Sequence, residues 1–134
     1  MSSKVVLVDA VRTPFGKAGS LYQGTRADDI MVRALRGLLE RNPKVSPADI
    51  DDVAIAAATQ SGDQGMNIGR SVSILAGLPT SVPGYSIDRW CAGAMTAVTT
   101  LSGAIALGQY DIAVAGGVER MGNHPMGEGL DPNP

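Results

Sequence analysis

The only cysteine of the chain stands in Asp88-Arg89-Trp90-Cys91-Ala92-Gly93-Ala94-Met95, between a short apolar segment and a long run of small residues. The pattern predicts that Cys91 opens a helix, where unsatisfied backbone N–H groups and the positive end of the helix dipole converge. Such a setting favours thiolate over thiol. The same N–H groups can stabilise an oxyanion on an acyl group carried by the sulfur. Ala92, Gly93 and Ala94 add little bulk, so a substrate can lie close to the backbone. The chemistry indicated is nucleophilic acyl transfer through Cys91. Against it stands the ordinary behaviour of a lone cysteine, which packs as a small, buried hydrophobe. Position and spacing alone leave both readings open.

Other candidates are weaker. One cysteine excludes an internal disulfide framework and any multi-cysteine metal site. Asp51-Asp52 is too isolated for a metal site, and no metal is expected. His124, in Asn123-His124-Pro125, falls in a glycine-rich segment that reads as a solvated surface loop. Glu119 at a predicted strand end reads as a loop-holding hydrogen-bond acceptor, and Arg12, Lys17 and Arg70 as solvated charges. A net charge of −2 gives no basic field for nucleic acid and no polybasic patch for a membrane surface. No apolar run approaches the ~18 residues of a spanning helix. The first residues lack a signal-peptide pattern, and with a lone cysteine the default location is reducing and cytoplasmic.

The elements that must position Cys91 follow from periodicity. The 44% hydrophobic content is aliphatic and alanine-rich, which suits tightly stacked helices and sheets within one domain. Residues 4–11 form a β-branched apolar run that predicts a strand buried on both faces. Thr25 with Asp28 three positions on predicts a capped helix start, and Ile30, Met31, Ala34, Leu35, Leu38 and Leu39 recur at helical spacing. Ser46-Pro47-Ala48-Asp49 has the grammar of a short helix start. Residues 52–58 predict a second strand. Asn67 caps a helix running to Gly77. Residues 82–87 predict a third strand, irregular or at an edge because Pro83 cannot donate to a ladder. Residues 91–107 predict the longest helix, almost uncharged and so buried nearly all round, and residues 110–117 a fourth strand. Strands alternating with helices predict an α/β fold: a mostly parallel sheet with helices on both faces.

Four motifs, in order, resemble those of the thiolase family (acetyl-CoA acetyltransferase and 3-ketoacyl-CoA thiolase). Residues 8–17, Val-Asp-Ala-Val-Arg-Thr-Pro-Phe-Gly-Lys, are similar to its opening strand and turn. Gln64-Gly65-Met66-Asn67-Ile68-Gly69-Arg70 resembles its glycine-glutamine-asparagine-proline-alanine-arginine segment, with Ile68 where proline is usual. The segment around Cys91 resembles its nucleophile motif, and Ala115-Gly116-Gly117-Val118-Glu119-Arg120-Met121 its strand-end signature. Two departures bear on subfamily: Cys91-Ala92-Gly93-Ala94 where serine commonly follows, and Arg120 where serine is common.

The resemblance implies a thiolase-like βαβαβαββ half, truncated before its last strand. Residues 1–134 would form the N-terminal domain, with a CoA-binding loop region and a C-terminal half outside this chain. Cys91 would be the nucleophile that holds the acyl group during thiolytic cleavage of a 3-ketoacyl-CoA, as in β-oxidation, or during the reverse condensation. Coenzyme A would be a substrate and no permanent cofactor is implied; acyl-CoA and CoA would be the partners, in a homodimer or homotetramer. No other residue is assigned to cofactor binding, although Gln64 and Asn67 could line the cleft. The family's histidine motif and second cysteine lie in its C-terminal half, so His124 is not read as their equivalent. The alternatives are a related condensing enzyme of β-ketoacyl synthase type, or an inert fragment serving only as a binding or dimerisation module.

Overall fold

A computed structural model describes residues 4–131. The elements are α1 (Ala27–Arg41), β1 (Asp52–Ala56), α2 (Ile68–Ala76), β2 (Tyr85–Ile87), α3 (Gly93–Ala106) and β3 (Ala113–Gly117), with short 3-10 turns at Pro47–Asp49, Gly62–Gln64 and Trp90–Ala92. The three strands form a parallel sheet in the order β2-β1-β3. Each strand-to-strand connection carries a helix, as parallel pairing requires.

β1 is buried along its whole length, and its period-two alternation divides the core. Val53 and Ile55 pack with Met31, Val32 and Leu35 of α1 and with Ile68 and Val72 of α2. Ala54 faces the other way, against Ala97 and Leu101 of α3. Helices therefore cover both faces, as the element order predicts. Backbones approach closely at two glycines. A Cβ on Gly69 would lie 2.0 Å from the Tyr85 carbonyl oxygen, and one on Gly93 would lie 2.7 Å from the Ala56 Cβ.

Local signals are realised at several termini. Ser46 accepts from the Ala48 N–H. Asn67 accepts from the Arg70 N–H at 3.3 Å and Gly77 ends α2 in the left-handed conformation. β2 begins only after Pro83 and lies at the sheet edge.

Three expectations are corrected. Residues 4–11 form no strand: Val6, Leu7 and Val8 are 72%, 82% and 76% exposed. The segment is nonetheless anchored. Asp9 accepts hydrogen bonds from Arg41 (3.0 Å) and Asn42 (2.9 Å), and the Tyr22 hydroxyl donates to the Pro14 carbonyl (2.6 Å). A cavity of about 1050 Å³ is lined by this segment, α1, α3 and β3. Among the described residues β3 has no strand partner on its outer side, and the β-branched run does not pair with that edge. Second, Thr25 does not cap α1. The helix starts after Arg26, and its Ala27 N–H is taken by Asp63, 36 positions along the chain. Third, α3 starts at Gly93 and is buried on one side only. Gly93, Ala97 and Leu101 are covered, while Met95 and Val98 are exposed because no second layer packs over them.

Candidate active site

In parallel α/β sheets, ligands bind beyond the carboxyl ends of the strands. Here those ends are Ala56, Ile87 and Gly117, and the chemistry-bearing residues follow each of them closely. Cys91 comes after β2, Gln64 after β1 and Glu119 after β3.

Cys91 is exposed, so it is not a core hydrophobe. It lies in the 3-10 turn Trp90–Ala92 that precedes α3, not in the helix itself. This corrects the expectation of a helix opening at the cysteine. The neighbouring N–H groups are engaged: Trp90 donates to Asp88 Oδ1 (3.1 Å), Ala92 to the Arg89 carbonyl (3.0 Å) and Gly93 to the Trp90 carbonyl. None of these bonds uses the N–H of Cys91 itself. Trp90 has φ 47. A bulky residue in the left-handed region is uncommon, and such backbone strain clusters at functional sites. Helix-start grammar gave no sign of it. The turn is set against the sheet by Gly93, whose missing Cβ lets the start of α3 rest on Ala56.

A polar network centred on the buried Gln64 and the exposed Glu119 ties the other two strand ends together. Gln64 is fully buried. Its amide nitrogen donates to the Thr59 carbonyl (2.8 Å) and to Glu119 Oε1 (2.8 Å), and its Oε1 accepts from the Arg120 N–H (2.6 Å). Glu119 Oε2 accepts from the Ala58 N–H (2.6 Å). The carboxylate thus clamps the segment after β1 to the segment after β3, which is the loop-holding role its position suggested. Arg120 donates from Nη2 to the Tyr22 carbonyl (2.7 Å), while its buried Nη1 has no partner. Gln64, read from the sequence as a residue that could line the cleft, is instead buried within this network, and nothing in a polar, glycine-containing segment marks one amide for complete burial.

His124 departs from expectation. It is buried, not solvated. Its Nε2 meets Asp63 Oδ1, and its Nδ1 lies 2.6 Å from Glu128 Oε2 and 3.2 Å from the Ser61 hydroxyl. Burial alone would lower its pKa; Glu128 and Asp63 outweigh that and raise it above the usual histidine value. Its hydrogen-bond partners are these three groups and not Cys91. Asn67 donates to the Gly84 carbonyl (3.0 Å), holding the approach to β2. Arg70 is spent on the carbonyls of Thr80 (2.9 Å) and Val82, so it is a structural cation. Arg12 stacks on the exposed Phe15 ring at 4.6 Å.

Among the described residues no group of three or more His, Cys, Asp or Glu side chains is arranged to hold a metal ion. No helix among them is long and apolar enough to cross a membrane.

A family model described as the N-terminal domain of thiolase matches residues 5–133. A 3-ketoacyl-CoA thiolase of Aliivibrio salmonicida is 44% identical over 128 residues, covering 95% of this chain and 33% of that protein. A beta-ketoadipyl-CoA thiolase of Pseudomonas aeruginosa is 45% identical over 125 residues, covering 93% of this chain and 31% of that protein. The 3-ketoacyl-CoA thiolase of Idiomarina loihiensis is 40% identical, with 97% and 34% covered. The chain thus spans about a third of the length of these relatives.

Proposed function

Because this chain belongs to the thiolase family through its N-terminal domain, we propose that it forms part of an acyltransferase in which Cys91 carries the acyl group. The observation that supports this most is the placement of Cys91. It is exposed, on a strained turn, beyond the carboxyl end of a parallel strand, with its own N–H outside the turn's hydrogen bonds.

In the cleavage direction the Cys91 thiolate attacks the 3-keto carbon of a 3-ketoacyl-CoA. The bond between carbons 2 and 3 breaks, and its electron pair leaves on carbon 2, which is protonated to give acetyl-CoA. The shortened acyl group remains as a thioester on Sγ. The thiolate of free CoA then attacks that thioester, releases acyl-CoA and restores the Cys91 thiolate. Condensation runs the same steps in reverse. Coenzyme A is a substrate here, not a resident cofactor. The gain over solution in such a reaction comes from an activated nucleophile and from donors preset for the oxyanion; of these parts, the described residues contribute the exposed Cys91 and its own N–H. The proton transfers need an acid and a base. His124 is committed to two carboxylates, so on this account it is not one of these groups, and they are sought in the longer protein. The working enzyme on this account is the longer chain, a cytoplasmic homodimer or homotetramer, with the β2 edge and the exposed face of α3 at the subunit contact.

A second reading has its own support: the only histidine is bonded to Asp63, Glu128 and Ser61 and not to Cys91, so residues 1–134 alone would be an inert fragment serving as a binding or dimerisation module. One assay addresses both. Loss of 3-ketoacyl-CoA in the presence of free CoA is followed for the full-length protein, its Cys91→Ala variant and the 134-residue chain. The expected result is turnover in the first alone. Turnover surviving Cys91→Ala would overturn the assignment of the nucleophile.

A further inference from the structure

The polar cluster around His124 takes no part in the chemistry above, yet it is built with care. Asp63 uses Oδ2 to accept the Ala27 N–H at the start of α1 (2.7 Å) and Oδ1 to meet His124 Nε2. Glu128 Oε2 meets His124 Nδ1 (2.6 Å) and accepts from the Ser61 hydroxyl (2.6 Å). The ring rests on Gly62, where a Cβ would lie 2.6 Å from the imidazole Cε1. Three separate parts of the chain therefore meet at one imidazole: the first turn of α1, residues 59–65 and the loop 120–129.

We propose that His124 is a pH-operated latch that holds the loop 120–129 against residues 59–65 and the start of α1. Only the protonated imidazole has two N–H groups, so only it donates to Asp63 and Glu128 together. Once neutral, the ring can donate to only one of the two carboxylates and turns a ring lone pair toward the other, which keeps only its second donor, the Ala27 N–H on Asp63 or the Ser61 hydroxyl on Glu128. The charged groups acting on the cluster are Asp63 and Glu128 on the ring, with Arg26 at the start of α1 acting on Asp63.

The direction of the pH dependence follows. His124 is raised in the folded state, so its contribution is complete below the ordinary histidine value of about 6.5 and is lost as pH rises through the folded value. Asp63 is buried, which alone would raise it, but the Ala27 N–H, His124 and Arg26 hold it below the usual carboxylate value. Glu128 is lowered by Ser61 and His124. The carboxylate contributions are present above their unfolded values and are lost as pH falls through the folded ones. The latch is closed between these limits and opens as pH rises through the folded value of His124. The adjoining Arg120 N–H bond to Gln64 places this loop next to the clamp on the strand ends.

His124 is the only histidine, so the imidazole resonance in a proton NMR titration of the chain belongs to it without further assignment. The expected midpoint lies above that of a free histidine and falls in both Glu128→Gln and Asp63→Asn. Amide exchange of Asn123, His124 and Glu128, corrected for the intrinsic pH dependence, is expected to quicken roughly tenfold for each unit by which the midpoint exceeds the unfolded value, as pH passes through it. Glu128→Gln keeps the Asp63 cap on α1, so its helix content, read by circular dichroism, stays at the wild-type level while loop protection is lost. A midpoint at or below the free value, or loop exchange indifferent to pH and to Glu128→Gln, would overturn the latch.

Discussion

Replacing Gly93 by alanine tests how the cysteine turn is held. The added Cβ would lie 2.7 Å from the Ala56 Cβ, whereas carbon atoms pack at about 3.5–4.0 Å. The overlap is roughly 1 Å, and neither methyl can rotate away because each is fixed to the backbone. Two effects compete. Exchanging glycine for alanine in a helix gains about 0.5–1 kcal/mol, while overpacking a close contact costs about 1–3 kcal/mol. The contact wins, so Gly93→Ala should lose about 1–2 kcal/mol of stability in urea unfolding followed by circular dichroism. Ala56→Gly should restore part of the loss, giving a coupling of about 1 kcal/mol or more in the double-mutant cycle. Relief must come from a shift of the start of α3, which carries the Cys91 turn with it. A displacement of about 1 Å can cost about 100-fold in rate, so thiolysis by the full-length enzyme should fall well beyond the stability effect. A variant as stable as the parent, or strictly additive mutations, would refute the close-approach argument.

Further expectations concern the strand-end clamp, the strained turn and one surface carboxylate. Gln64→Leu strands the Arg120 N–H and removes a donor to Glu119, so it should cost about 2–4 kcal/mol in urea unfolding; a loss under about 0.5 kcal/mol would mean the network is not formed. Trp90→Gly removes the left-handed strain at φ 47 and should leave stability unchanged or slightly higher, while slowing acylation in the full-length protein. Asp51 accepts the Asp111 N–H (2.7 Å) and the Ile112 N–H (3.1 Å), and the two bonds, in that order, hold its pKa below the usual value. Its contribution is present above about pH 4 and lost as pH falls through the folded value. Asp51→Asn should therefore lower stability at neutral pH, with the difference from the parent vanishing in acid denaturation.

Local signals carried the helices and the central strand. Asn67 and Gly77 mark both ends of α2, Pro83 delays β2, and the apolar run at residues 52–58 becomes the buried β1. The misreadings share a physical cause, which is that the partner is distant in sequence. The β-branched run at residues 4–11 has strand propensity but lies across a cavity from β3 and pairs with no strand among the described residues. Thr25 looked like a cap, yet the Ala27 N–H goes to Asp63. His124 reads as a solvated loop residue until residues 61–63 fold over it. At the candidate site, type and position left Cys91 open between nucleophile and buried hydrophobe until the structure showed it exposed, while the loop-holding role of Glu119 was legible from its place at a strand end. The 3-10 turn, the strained Trp90 and the buried Gln64 were not, because each depends on how separate strand ends meet.

The central claim is a covalent one, and trapping tests it most directly. The full-length protein is incubated with a 3-ketoacyl-CoA without free CoA, quenched in acid and digested, and the peptide containing Cys91 is weighed by mass spectrometry. The account predicts that this peptide gains the mass of the shortened acyl group, that the adduct disappears on adding CoA, and that Cys91→Ala forms none. An acyl group on another residue, or turnover with no adduct on Cys91 under any quench, would contradict it.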